Sequence, residues 1–187
     1  GGEPINLTNQ FLIAMPGMAD DNFSRSVVYL CEHTQNGALG LVINKPIDIK
    51  LKNLFEKVEL SLDREELAEL PVFFGGPVQT ERGFVLHVPP GTCSSTQPVT
   101  PEISLTTSKD VLEAVAEGSG PEKMLVTLGY SGWGAGQLEG EIAANAWLTV
   151  TATPQILFDT PPEGRYEAAL QLLGVQATQL TGQAGHA

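Results

Sequence analysis

The chain has 187 residues and a mass of 19.9 kDa, of which 42% are hydrophobic and 17% charged. A chain of this length fits one domain and buries roughly 70% of its unfolded surface, so it can fold without disulfides or metals. The net charge of −12, with no cluster of basic residues, disfavours direct nucleic-acid binding, because affinity for phosphates comes largely from grouped cations.

No segment reaches the roughly 18 apolar residues of a membrane span, and the first ten residues lack the features of a secretory signal. We therefore expect a cytoplasmic protein with no membrane association. Cys31 and Cys93 form no CxxC pair, so free thiols are the expectation for this compartment.

The first elements in chain order are strands. Residues 11–17 are an apolar run, and residues 26–33 (SVVYLCEH) and 38–44 flank an Asn36-Gly37 pair. Such a pair between two apolar runs predicts an antiparallel hairpin with a type I′ turn, because that turn needs positive φ at both central residues.

Helices and further strands follow. Residues 50–58 carry apolar residues at spacings of three and four, and residues 63–69 begin with a predicted capping box of Asp63 and Glu66. Residues 71–78 and 83–88 are predicted strands around a glycine turn at 75–77 and a polar link at 79–82.

The second half alternates in the same way. The predicted elements are an exposed loop at 89–102, a helix at 109–117 capped by Thr107 or Ser108, a strand at 124–130, a helix at 136–144, strands at 147–152 and 156–159, and a helix from Pro162 to Leu173 with Gly174 after its end. The interleaving of strands and helices, with a hairpin and short links, predicts one α+β domain with a mixed sheet.

The stretch GYSGWGAG (129–136) has three possible meanings: a phosphate cradle, a catalytic turn or a tight corner. A strand, glycines and a helix N-terminus together suit an anion. However, neither GxxxxGK[ST] nor GxGxxG is present, and Glu139 and Glu141 would repel a phosphate. The pattern favours a corner that lets Trp133 pack beneath it.

Catalytic and metal-binding patterns are weak. Ser131, Asp159 and His186 follow the chain order of an α/β-hydrolase triad, but Trp133 stands where the nucleophile elbow requires glycine. Glu32 and His33 are neighbours in a strand and so point to opposite faces. We predict neither a metal nor a cofactor.

Arg82 precedes Gly83 and follows the glycine turn. It can clamp a carboxylate or phosphate with two hydrogen bonds, or pair with a surface acid, and the second alternative is the more common outcome.

Several long motifs resemble the AlgH/YqgE family of bacterial proteins. They are FLIAMPGMADDNFSRSVVYLCEH, NGALGLVINKP, FFGGPVQTERGFVLH, SGPEKMLVTLGYSGWGAGQLEGEI and the closing GHA. The match runs in register from about Leu7 to Ala187, and at Ser131 the family more often has Ala, which further disfavours a nucleophile there.

The resemblance implies one domain over residues 1–187, with a bent, mostly antiparallel mixed sheet that curls into a partial barrel and about five helices outside. Residues 1–6 and 176–187 are expected to be mobile ends. The family is largely uncharacterised, and its first-named member is described as a transcriptional regulator.

Three functions from different classes stay open. The leading hypothesis is a non-enzymatic regulatory or binding domain that acts through an unidentified protein partner or small ligand. The alternatives are transcriptional control through DNA, and an unrecognised hydrolase or phosphate-handling enzyme. The predicted ligand-binding residues, near the glycine turns, are Gly75, Gly76, Arg82, His87, Tyr130, Trp133 and Gln137.

Overall fold

The computed structural model describes residues 5–17, 20 and 22–184, with side chains described as far as Val175. Its strands are β1 Gln10–Ala14, β2 Val27–Thr34, β3 Gly37–Val42, β4 Pro46–Lys50, β5 Pro71–Phe74, β6 Val78–Val88, β7 Thr96–Pro98, β8 Ser104–Thr106, β9 Lys123–Gly134 and β10 Trp147–Thr151. Its helices are α1 Leu51–Lys57, α2 Glu65–Ala68, α3 Asp110–Ala116, α4 Gln137–Ala143 and α5 Arg165–Ala184, with a π-helical turn at Gln155–Asp159 and a 3₁₀ turn at Pro162–Gly164.

The strands form one curled sheet in the order β10-β1-β2-β3-β9-β6-β8-β7, with β4 and β5 joined to it beside β9. All pairs are antiparallel except β5 with β9. The predicted fold, a single α+β domain with a sheet bent into a partial barrel, is confirmed.

Strand β9 is the centre of this sheet. Its first part pairs with β5 and β6, and its last four residues pair with β3. Apolar side chains pack on both faces of the sheet. One cluster lies between the strands and α5, a second lies under α1, α2 and α3, and a third, which includes Trp133 and Trp147, packs with Leu138 of α4.

The β2–β3 hairpin is confirmed, but its predicted turn is wrong. Gln35 and Asn36 form the loop, and Thr34 pairs with Gly37 as the first residue of β3. Among residues 34–37, only Gly37 has positive φ, at +138°. Glycine is needed there for close approach, because an added Cβ would overlap the carbonyl oxygen of Trp133 on β9.

The predicted glycine turn at 129–136 is confined to residues 135 and 136, and the predicted polar link at 79–82 is wrong. Residues 131–134 continue β9 because β3 offers them a backbone partner. Residues 79–82 lie within β6, where the register shifts between Val78 and Gly83 and Gln79 has φ of +48°. Strand continuity here depends on partners that are distant in sequence.

The remaining differences concern ends and short runs. Residues 156–159 form the π-helical turn rather than a strand, and the predicted loop at 89–102 contains β7. Helix α5 passes through Gly174 without a break, so the predicted stop there is wrong. The caps of α2 and α3 are Arg64 and Lys109, without side-chain cap hydrogen bonds, instead of Asp63 and Thr107 or Ser108.

His186, the third residue in the chain order of a hydrolase triad that the sequence disfavours, lies outside the described residues. The mobility of the two chain ends stays a prediction. Within residues 5–17, 20 and 22–184, no helix is both long and apolar enough to cross a membrane.

Candidate functional site

The segment at Gly75 and Gly76 crosses β9 at backbone contact. An added Cβ at Gly75 would overlap the carbonyl oxygen of Gly129, and one at Gly76, where φ is +151°, would overlap the carbonyl group of Tyr130. Gly129 itself has φ of +80° and lies against the Gly76 carbonyl oxygen. Glycine is therefore required on both sides of this crossing, which leaves no room for a ligand between them.

Ser131 lies beside the same crossing. Its side chain is fully buried, and its Oγ donates a hydrogen bond of 3.1 Å to the Gly75 carbonyl oxygen. The amide of Val42 donates to that same carbonyl at 2.8 Å. This serine hydroxyl thus holds two backbone segments together, and it has no access to a substrate.

Beyond the crossing, one face of β9 is almost bare. Side chains alternate along a strand, so Tyr130, Gly132 and Gly134 share a face, and the last two are exposed. Gly132 pairs across the sheet with Leu39, and Gly134 pairs with Gly37. The result is a surface floored by backbone, next to the Tyr130 ring.

This surface forms an open groove of about 440 Å³, which we call the aromatic groove. It is lined by Glu32, Thr34, Asn36, Gly37, Ala38, Leu39, Val78, Tyr130, Gly132 and Trp133. Leu39 and Tyr130 also pack against the edge of the apolar cluster under α5. The groove therefore continues, uncovered, from the face that α5 covers elsewhere.

The glycines of the groove differ from those of the crossing. At Gly134 the nearest atom to an added Cβ is a side-chain oxygen of Gln137 at 3.9 Å, and at Gly132 it is a Tyr130 ring carbon at 3.3 Å. Neither residue has a positive φ. Packing requires no glycine at Gly134, and at Gly132 a Cβ would need the Tyr130 ring to shift by a few tenths of an ångström. Glycine at either position weakens the strand.

The opposite face of β9 is fixed by one carboxylate. Glu141 on α4 accepts hydrogen bonds of 3.0 Å at Oε1 from the indole nitrogens of both Trp133 and Trp147. Its Oε2 accepts one of 2.9 Å from Gln137, whose own Oε1 accepts from the Gly134 amide. Trp133 and Gln137 thus hold the strand and α4 together behind the groove.

Arg82 is exposed at the end of a row of rings. Its guanidinium lies 5.5 Å from the centre of the Phe84 ring, which packs edge-on against Tyr130 at 5.4 Å. Its Nη1 donates a 3.1 Å hydrogen bond to Gln79. In the described part of the chain Arg82 forms no ion pair, so the surface ion pair that its sequence context favours is not found.

His87 lies away from the groove, buried in β6. Its Nδ1 donates to the Pro89 carbonyl oxygen at 3.0 Å, and its Nε2 accepts from the Thr106 hydroxyl at 2.7 Å, which in turn is bonded to the Thr96 hydroxyl. Burial lowers the pKa of His87, more than its hydrogen bond to Pro89 raises it. This imidazole is neutral and structural.

His33 also has both ring nitrogens in use. Nδ1 accepts from the Leu7 amide at 3.0 Å, and Nε2 donates to Glu139 at 3.2 Å. The pKa of Glu139 is lowered, chiefly by a hydrogen bond to its own backbone amide and then by His33. As predicted, Glu32 and His33 point to opposite faces, since Glu32 is exposed and His33 is buried.

The two cysteines are free thiols. Burial raises the pKa of both, so neither is activated as a nucleophile. In the segments that the structure describes, no three His, Cys, Asp or Glu side chains come together in a way that could hold a metal ion.

The structure thus brings Tyr130 to the groove, together with Trp133, whose indole nitrogen is bonded to Glu141 on the opposite face of β9. Gln137 and Arg82 lie near the groove, Gly75 and Gly76 form the crossing, and His87 has a separate buried position. Sequence reasoning missed Glu32, Thr34 and Leu39 on the other side of the groove. The signal that could have found the groove is the alternation of glycines at 132 and 134, which has the two-residue period of a strand.

Both the sequence and the fold of this chain are similar to those of known proteins. Residues 11–178 match the family model described as DUF179, AlgH-like. A UPF0301 protein of Cupriavidus pinatubonensis is 65% identical over 184 residues, covering 98% of this chain and 97% of the relative. One of Ralstonia nicotianae is 64% identical, also over 184 residues, with the same shares covered.

Two solved structures are similar. The solution structure of the AlgH protein from Pseudomonas aeruginosa has a TM-score of 0.78 and 50% identity, and covers 100% of this chain and 99% of its own. The crystal structure of DIP2367 from Corynebacterium diphtheriae, at 21% identity and a TM-score of 0.63 over 82% of this chain and 79% of its own, supports the fold alone. This chain belongs to the uncharacterised AlgH-like, UPF0301 family.

Proposed function

We propose that the protein is a non-enzymatic regulatory or binding domain, and that its protein partner or small ligand occupies the aromatic groove. One observation carries this proposal: Gly132 and Gly134 expose a strand backbone at positions where only side chains, and no packed backbone, would meet an added Cβ. A glycine of this kind in a strand is typical of a place where a ligand or another backbone comes close.

The absence of turnover is inferred from the side chains that would have to perform it. Ser131, His87 and His33 each use their polar atoms in hydrogen bonds within the protein. The Cys31 thiol is buried and has a raised pKa. A catalytic nucleophile and its base must lie within hydrogen-bond distance of each other and of a substrate. The polar atoms of these side chains are instead hydrogen-bonded within the protein or buried.

The groove suits a neutral or cationic occupant. Its volume of about 440 Å³ lies in the range of ligand sites, and an aromatic ring that is half-buried beside polar groups, like that of Tyr130, is common in them. Glu32 is the charged residue of its lining, and the chain has a net charge of −12. Both features disfavour phosphates and DNA as direct ligands.

We also propose that the protein acts in the cytoplasm. Its two cysteines are free thiols, and thiols stay reduced in that compartment.

A thermal-shift screen tests the proposal, because a compound that binds only the native state raises the unfolding midpoint. The compounds are nucleotides, phosphorylated metabolites, divalent metals, cationic and neutral metabolites, and short duplex DNA at low and moderate salt. Each hit is then titrated against Gly132→Val, which fills the groove floor. The matched control is Gln97→Val on β7, an exposed strand position outside the groove.

We expect a hit whose binding Gly132→Val weakens by about tenfold or more while Gln97→Val leaves it unchanged. A hit that binds both variants equally would exclude the groove. A hit with duplex DNA that weakens steeply with salt would favour the transcriptional alternative instead.

A further inference from the structure

A second cavity, built from residues other than those of the groove, contains a buried arginine. It is partly enclosed, measures about 150 Å³, and is bounded by β5, β9, the π-helical turn and the start of α5. Its walls are mainly apolar, with Phe73, Leu125, Leu157 and Phe158 among them. Arg165, the first residue of α5, is 95% buried and also lines it.

The guanidinium of Arg165 is held rigidly by backbone and ring contacts. Its Nε donates to the Thr160 carbonyl oxygen at 2.9 Å, and its Nη1 donates to the carbonyl oxygen of Ile43. The Phe73 ring centre lies 4.9 Å from the guanidinium carbon. These contacts fix the plane of the group without neutralising its charge.

The charge of Arg165 is compensated only in part: Glu163 raises its pKa electrostatically, by less than burial lowers it. Among the residues that the structure describes, none forms an ion pair with Arg165. Burial lowers its pKa to about 10, so it is still a cation at neutral pH. A guanidinium has five N–H donors, and the two protein hydrogen bonds use two of them. A buried cation without an ion-pair partner destabilises the fold, and a bound anion would offset that cost.

Asp159, the acid that lines the cavity, already forms an ion pair with Lys123. Lys123 lies 2.7 Å from both of its carboxylate oxygens. The pair keeps the local charge of that wall near zero, so Asp159 neither serves Arg165 nor strongly repels an incoming anion.

We infer that this cavity binds a short aliphatic monocarboxylic acid, with its carboxylate on Arg165 and its hydrocarbon tail against the apolar walls. The planar fork of a guanidinium matches a carboxylate in a bidentate arrangement. Phosphate fits less well, because its further charge and oxygens would face apolar walls that offer them no donors. A cavity of about this size holds a molecule as large as benzene, which suits an acid of four or five carbons.

The test is an NMR titration of the whole chain, with butanoate as the probe and backbone amide shifts as the readout. Butanamide has nearly the same shape without the charge, and inorganic phosphate has charge without the apolar tail. We expect saturable shifts with butanoate at the amides of Phe73, Thr160 and Arg165. Binding of the other two probes should be about tenfold weaker or more. Butanamide lacks the charge that pairs with Arg165, and phosphate lacks the apolar tail that packs against the walls.

Two variants locate the charge. Arg165→Met keeps the length of the side chain and removes the guanidinium, and we expect it to abolish the butanoate response. Arg82→Met removes an exposed arginine that does not line this cavity, and it should leave the butanoate response unchanged. Should Arg165→Met fail to fold, the comparison of butanoate with butanamide on the native chain decides. Equal binding of those two probes, shifts mapped elsewhere, or no saturable shift would each overturn the inference.

Discussion

The two glycine groups of this fold have opposite origins. At the crossing, Gly75, Gly76 and Gly129 lie where backbones touch, and a Cβ at any of them would overlap a neighbouring carbonyl group. In the groove, Gly132 and Gly134 lie on an ordinary strand with ordinary φ, and an added Cβ would meet only side chains, the Tyr130 ring at 3.3 Å and Gln137 at 3.9 Å. The same residue type is therefore a condition of folding in one place and a feature of the exposed surface in the other.

This difference bears on how a glycine-rich motif is interpreted. Because the glycines of such a motif are adjacent in sequence, they are usually assigned one common role, such as binding a phosphate or forming a tight turn. In this fold the boundary between structural and surface glycine falls inside β9, between Gly129 and Gly132. Mutations on the two sides of that boundary should behave differently.

Gly76→Ala should give the largest effect. The substitution places a Cβ into the Tyr130 carbonyl group at a φ of +151°, so it adds backbone strain to overpacking. We expect a loss of about 4 kcal/mol or more in the free energy of unfolding, measured by urea denaturation. A loss below about 1 kcal/mol would show that the crossing is loosely packed and that its glycines do not differ from those of the groove.

Trp133→Ala should come next. The ring is 6% exposed and packs against Trp147 at 6.2 Å, and its loss also removes one of the donors to Glu141. Truncation of a buried Trp costs about 3–5 kcal/mol, and we expect the lower end, about 3 kcal/mol, because the ring lies close to the surface. Trp133→Phe, the matched control, should lose less because it retains an aromatic ring in the same space. Equal losses in the two variants would mean that the indole hydrogen bond, rather than packing, dominates.

A smaller effect should appear in the pH dependence of stability, through His87. Like the glycines of the crossing, this buried ring has a structural role. Its folded pKa lies below the unfolded value of 6.5. Between those two values the unfolded chain binds a proton that the folded chain does not, so stability rises with pH and falls on acidification. Urea denaturation from about pH 7 to about pH 5 should show this loss, in a window above the titration of most carboxylates.

His87→Gln provides the control for that experiment. It removes the titrating group, so the variant should be less stable at neutral pH but show a shallower pH dependence over the same window. A slope as steep as that of the native chain would assign the acid sensitivity to another group.

Much of this fold follows from local sequence patterns. The β2–β3 hairpin, α1, α4 and β10 are all predictable, because each depends on residues close together in the chain. The extension of β9 to Gly134 depends on β3, which is far away in sequence, and no local pattern predicts it. The run at 156–159 is too short for its period to distinguish strand from helix.

The candidate sites divide in the same way. Tyr130 and Trp133 could be selected as aromatic residues among glycines, but their partners across the groove, such as Glu32 and Leu39, come from other strands. Arg165 gave no sequence signal at all, because its burial depends on the carbonyl group of Ile43, 122 residues away. Residue type suggested one wall of the groove, and only the fold supplied the other.

Gly134→Val is the smallest expected effect, and it most directly tests the distinction between the two glycine groups. The Cβ of a valine here would meet only the Oε1 of Gln137, at an ordinary contact distance of 3.9 Å, and its β-branched side chain favours the strand conformation. If the protein were selected for stability alone, valine would be preferred, since glycine within a strand costs about 0.5–1 kcal/mol. We therefore expect urea denaturation to show an unchanged or slightly higher stability. A loss of more than about 1 kcal/mol would mean that this end of β9 is as tightly packed as the crossing, and that its bare face is a consequence of folding. Unchanged stability would leave contact with an occupant as the physical reason for a glycine at this position.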